Sequence, residues 1–194
     1  MRPLITPEQI AEMKARGYDS ETLREARELL EAQVPVDELC RRIEEAFAGV
    51  TLGNGVGLSE ANALDDYEDE ATCALRRLDD EKEDWRRITW KQLNRFSSSP
   101  SFFDAEGMRF HLPALLIADL KGEYNQGMEF NLAHRSDHSR EQFSLLNEAQ
   151  REVVRDYLHF LLTHPDSKFH REDITDALLG YWAESAPEST RLSS

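Results

Sequence analysis

Asp65, Asp66, Glu68, Asp69 and Glu70 fall within six consecutive positions and form the densest run of charge or potential ligands in the chain. A calcium loop needs alternating oxygen ligands around a glycine and a closing Glu. The run Asp65-Asp66-Tyr67-Glu68-Asp69-Glu70 has no such glycine. On a helix, Asp65 with Asp69 or Asp66 with Glu70 would share one face and could hold a divalent ion loosely. Leu64, Tyr67, Ala71, Leu75 and Leu78 recur through the same stretch at helical spacing. That pattern predicts a folded amphipathic segment with its apolar side inward and its acids turned to solvent or to a partner. Eleven carboxylates between Glu60 and Asp84 face only Arg76, Arg77 and Lys82, and the two arginines are expected to neutralise part of the cluster.

Other residue types that do chemistry are scattered. His134 and His138 stand four apart, which suits one metal on a helix. The residues around them are polar and no glutamate holds the zincin position, so an exposed loop is expected. His111 lies beside Arg109 on the polar side of an alternating segment and is a candidate general base. Ser101 and Ser144 lack the glycines of a nucleophile elbow. Cys73 sits among acids that give its thiol no reason to ionise. Gly53, Gly55 and Gly57 invite a phosphate-loop reading, but no G-x-G-x-x-G or Gly-Lys-Ser/Thr pattern is present and carboxylates follow. A sharp bend before a helix capped by Ser59 is the expectation. No catalytic residue, metal or cofactor is assigned.

The elements that would position these residues are mostly helical. Thr6-Pro7-Glu8-Gln9 has the form of a capping box, and helices are expected to Ala15, from Asp19 or Ser20 to Ala32, and from Asp37 to Phe47, with Val34-Pro35 breaking the chain. Phe102-Phe103, the turn Asp104-Ala105-Glu106-Gly107, and Met108, Phe110 and Leu112 alternating with Arg109 and His111 predict a hairpin. Pro113 then suits the first turn of a buried helix through Leu120. Met128, Phe130 and Leu132 alternate in the same way and predict a third strand. Asn147-Glu148-Ala149-Gln150 caps a helix whose apolar face runs from Val153 to Leu162 and stops at His164-Pro165, and a last helix reaches Ala183. The fold class expected is mainly α with a small antiparallel β-sheet (α+β), helices surrounding a central hairpin-helix core. Residues 1–48 form a helical lead-in, 49–184 a single α+β domain and 185–194 a flexible tail.

A chain of 194 residues buries roughly 70% of its unfolded surface and needs no staple to fold. Two cysteines without paired spacing fit a reducing compartment. The start reads as no signal peptide, and no apolar run approaches the about 18 residues of a membrane span. The protein is therefore expected in the cytoplasm. A formal charge of −15 repels phosphate backbones and anionic membranes, which argues against nucleic-acid and membrane partners, and it attracts basic proteins.

Three runs, LGNGVGLSEANALDDY, FFDAEGMRFHLPALLIADL and FSLLNEAQREVVRDYLHFLL, resemble an uncharacterised bacterial family, a domain of unknown function in small cytoplasmic proteins. The likeness covers about Phe47 to Leu162. The third run is also similar to a phrase in small bacterial immunity-type proteins. The resemblance implies no catalytic residues. Charge and family flavour together suggest an acidic protein-binding module, an immunity protein for a basic nuclease-type toxin, with Asp65, Asp66, Tyr67, Glu68, Asp69, Asp80 and Glu83 as partner contacts. Trp85 is a further aromatic candidate but better suited to the core. The alternative is a metal-assisted hydrolase using acids near Asp65 with His111. A homo-oligomer is a third reading, and oligomeric state is left open.

Overall fold

The computed structural model describes residues 7–134, 136–163 and 171–184, and every regular element among them is helical. The α-helices are α1 (Pro7–Ala15), α2 (Ser20–Ala46), α3 (Leu58–Asp65), α4 (Glu70–Arg77), α5 (Trp90–Arg95), α6 (Ala105–Leu120), α7 (Glu129–Ala133), α8 (Asp137–Gln142), α9 (Glu148–Thr163) and α10 (Arg171–Leu179). Single 3-10 turns stand at Trp85–Arg87, Ser99–Ser101 and Tyr181–Ala183. The expected antiparallel sheet is absent from the described residues, so the α+β expectation is corrected to an all-helical one. Thr6, His164-Pro165 and the tail lie outside the described residues.

The correction centres on α6. Asp104, read as the first residue of a hairpin turn, is instead a helix N-cap, its Oδ1 accepting the Gly107 N–H at 2.8 Å. The alternation of Met108, Phe110 and Leu112 misleads because α6 is buried on nearly every side: His111, Leu115 and Leu116 are as enclosed as the alternating set. In such a helix, period two and period 3.6 mark the same residues. Pro113 lies inside α6 and not in its first turn. It removes one backbone bond there, and the surrounding burial holds the helix together. The third expected strand is α7, with Met128 and Leu132 buried four apart and Phe130 between them pointing outward. Pro35 likewise fails to break the chain: α2 runs through it as one helix.

Packing follows from these elements. The second half of α2 contributes Leu39 and Ile43 to the core and its C-cap adds Phe47, and α2 lies along α9, where Arg42 pairs with Asp156 at 2.6 Å and Glu152 at 3.3 Å. The Trp85 ring is buried, its Nε1–H donating to the Phe47 carbonyl at 3.0 Å. Helix α9 carries the expected cap, Asn147 and Gln150 exchanging bonds of 2.9 and 3.1 Å, and its apolar face of Val153, Val154, Tyr157 and Leu158 is enclosed. Arg151 is buried as well, with its guanidinium over the Tyr181 and Trp182 rings at 4.6 and 5.1 Å. Its Nη2 donates to the Tyr181 carbonyl at 2.5 Å.

One half-buried acid opposes the fold at neutral pH. Burial pushes the Asp119 carboxyl up to about 6, against the hydrogen bond that Tyr157 donates to it. Because the folded value lies above the ordinary 3.8, folding favours the protonated form. This contribution is fully present below about pH 4 and is lost as pH rises through about 6. Asp119→Asn is therefore expected to gain about 1–3 kcal/mol on the wild type between pH 4 and pH 8, read from urea midpoints at each pH. A second expectation concerns Gly107, where a Cβ would meet the Val56 carbonyl oxygen at 2.4 Å. Alanine is normally the better helix former by up to about 1 kcal/mol, yet Gly107→Ala should lose about 1–3 kcal/mol by overpacking, measured in the same titrations.

Candidate functional site

Helices α3 and α4 pack against each other as a hairpin on the outside of the molecule. Its position is set from below by glycines. The loop before α3 lies so close to the N-terminus of α6 that a Cβ on Gly55 would stand 2.5 Å from the Gly107 nitrogen. The α6 end holds the loop by charge: Asp104 Oδ1 accepts the Val56 N–H at 2.9 Å and Glu106 the Asn54 N–H at 3.1 Å. The glycines therefore serve packing, and carboxylates occupy the place a phosphate would need. The start of α3 is capped not by Ser59 but by Asp80, which accepts the Ser59 and Glu60 N–H groups at 2.6 and 3.2 Å. Close approach excludes a side chain at Gly57, whose Cβ would lie 2.1 Å from Asp80 Oδ2.

Arg77 completes the fastening. Its Nη1 pairs with Glu60 at 2.6 Å and donates to the Gly55 carbonyl, while Nη2 reaches the Gly53 carbonyl at 3.3 Å. Arg77 is thus spent on the loop, leaving Arg76 exposed as the hairpin's outward cation. Of the two arginines expected to neutralise part of the Glu60–Asp84 acids, Arg77 does so at Glu60, while Arg76 forms no ion pair among the described residues. Asp65, Asp66, Glu68, Asp69 and Glu70 form no ion pair among the described residues. Asp66 takes a bond from Asn62 at 2.8 Å, and Asp69 caps α4 through the Thr72 N–H at 2.8 Å. The two hydrogen bonds from Thr72, side chain and backbone, hold the Asp69 carboxyl below its ordinary range. Tyr67, between the two helices, is 95% exposed with φ at +57°. Left-handed backbone of this kind is uncommon outside glycine, and here it turns the ring to solvent.

The seven residues expected to meet a partner divide by this geometry. Asp65, Asp66, Tyr67, Glu68 and Asp69 come together at the α3–α4 turn. Asp80 belongs to the base of the hairpin as a cap. Glu83 is exposed in the turn organised by Glu81, whose Oε1 accepts three successive N–H groups from Lys82 to Asp84 at 2.9–3.1 Å. Trp85 is core, as expected. The stripe read as inward is the main surprise: Leu64 is 39% exposed, Leu75 64% and Leu78 73%, and Ala71 is exposed with them. The buried side of α4 is Cys73 with half-buried Arg77.

His111, the general base of the alternative reading, is sealed in the core. It stacks on Phe103 at 4.3 Å, lies edge-on to Phe110, and its Nδ1–H donates to the Gly107 carbonyl at 2.7 Å. Burial pushes it down to about 4, so it is neutral at physiological pH. The acid whose charge reaches it is Asp104, not the Asp65 cluster. His134 stacks on Phe130, while His138 stands on α8 with Nε2 3.0 Å from the Ser101 carbonyl, so the pair is split between two elements. Among the described residues no group of three His, Cys, Asp or Glu is placed to hold a metal ion. Cys40, buried, has its thiol pushed up to about 11, which makes it a poor nucleophile.

An all-helical protein with an acidic outer hairpin, fastened by glycines to a buried central helix, is the class these features define. The chain belongs to a family of unknown function (DUF6714), which it matches over residues 36–186. That match begins inside α2 and takes in Leu39 and Ile43, earlier than the Phe47 start expected from the three quoted runs. No curated protein and no solved structure matches the chain. No helix among the described residues is long and apolar enough to cross a membrane.

Removing a cap and removing an exposed acid should differ. Asp80→Ala is expected to lower stability by about 1 kcal/mol through the orphaned α3 donors. Glu83→Ala should stay within about 0.5 kcal/mol of wild type, both read by thermal melting.

Proposed function

We propose that the protein is a non-enzymatic binding module whose acidic α3–α4 face docks a basic protein, and that the partner is a nuclease-type toxin which the chain neutralises as an immunity protein. The observation that supports this reading is the group of unpaired carboxylates around Tyr67. A cluster kept for the fold would be met by the nearest arginine, and Arg77 is instead turned to Glu60 and the glycine loop, away from the acids around Tyr67. A nuclease needs a basic groove for its phosphates, and an acidic surface offers that groove the same sign of charge. Tyr67 supplies a two-torsion aromatic anchor at the centre of the charge.

Charge of this kind acts on encounter. With the partner isolated on the tagged full chain from a host extract, Asp66→Lys with Glu70→Lys should slow association about tenfold or more and flatten its salt dependence. Both side chains are exposed, so the fold should survive, checked by circular dichroism. An association rate and salt slope equal to wild type would sink the proposal.

A further inference from the structure

We propose that the outward apolar stripe of α4 is the seat for one amphipathic, basic helix of the partner. This deepens the reading above and rests on it. Ala71, Leu75 and Leu78 recur at spacings of four and three, and the stripe continues past the helix proper because Leu78 keeps helical backbone angles of −67° and −26°. At about 100° per residue they lie opposite Cys73 and Arg77, the side that α4 buries. Single exposed leucines are ordinary on a protein surface; an amphipathic helix presenting its whole apolar stripe to solvent is not.

The shape and surroundings of the stripe select its occupant. A single ridge of leucines is convex, so it offers no enclosure for a small molecule, and no strand edge exists among the described residues for an extended peptide to join. Ridges of this spacing fit the groove between side-chain rows of another helix. Around the ridge stand Asp65, Asp66, Glu68, Asp69 and Glu70 at one end and Asp79 at the other, with Arg76 as the exposed cation. An occupant with apolar residues at i, i+3, i+4 and i+7 and with lysine or arginine on its flanks satisfies both the ridge and its rim. A second copy of this chain would bring carboxylates to carboxylates. The two parts then have separate kinetic roles: acids raise the rate of encounter, leucines set the lifetime of the complex.

The test uses the full chain and two fluorescein-labelled peptides of about 18 residues, roughly five helical turns, with the same leucine and lysine composition. One carries leucine at helical spacing and the other is scrambled to have no apolar face. The patterned peptide should bind the wild type, and Leu75→Ser with Leu78→Ser should dissociate at least about tenfold faster with association within about twofold. Asp66→Lys with Glu70→Lys should do the reverse. Three results would overturn the helix seat: no binding of the patterned peptide, equal binding of the scrambled one, or unchanged dissociation in the leucine double variant. Light scattering adds a fourth, a wild-type dimer abolished by the leucine substitutions, which would make the stripe a self-contact. If the leucine variant is unchanged while the charge variant still associates slowly, only the helix seat falls. If the charge variant too is unchanged, the acidic docking reading falls with it.

Discussion

One carboxylate ties the outer part of this molecule to its centre. Asp104 Oδ1 accepts both the Gly107 N–H that begins α6 and the Val56 N–H of the glycine loop. A charged acceptor shared by two backbone donors is a strong bond on each side, and its geometry leaves no room for side chains at Gly55 or Gly107. The loop in turn sets where α3 begins, and Arg77 and Asp80 fasten the rest of the hairpin to it. The position of every acid on the α3–α4 turn therefore descends from the cap of a buried helix.

That dependence explains the division of charge in this region. Four ionisable groups, Asp104, Glu106, Asp80 and Arg77, are consumed in fastening backbone to backbone. The five acids at the turn are left with no countercharge among the described residues, and the ring of Tyr67 projects among them. Structural acids and acids without a countercharge thus lie side by side in the sequence, and Asp69 is both, capping α4 through the Thr72 N–H while facing no cation among the described residues.

Much of the helical framework was legible in the residues alone. Asn147-Glu148-Ala149-Gln150 makes the bonds that a cap of this form implies, and the apolar face of α9 is buried as its spacing requires. The misreadings share a cause, which is that an apolar pattern tells what is greasy and not what covers it. In α6 burial on nearly every side erases the difference between the two periods, and Gly107, a residue type that marks turns, is here a point of close approach. In α4 the pattern was right for a helix and wrong for its direction, because nothing in Leu75 or Leu78 says which side Cys73 will occupy. Pro35 and Pro113 carry the usual mark of a helix end, yet each lies inside a continuous helix. The acidic turn was visible as a charge cluster; the diversion of Arg77 away from it was not, since that needs contacts with Gly53 and Gly55 more than twenty residues upstream.

The uncompensated acid around Leu75 and Leu78 has a colloidal consequence. Bare leucines on a surface are adhesive, and a neutral protein displaying them would tend to clump through that face. Here each approach of one molecule to another through the stripe first brings like charges together, within a chain already at −15. The carboxylates act as gatekeepers that keep a sticky ridge wet until something of opposite sign arrives.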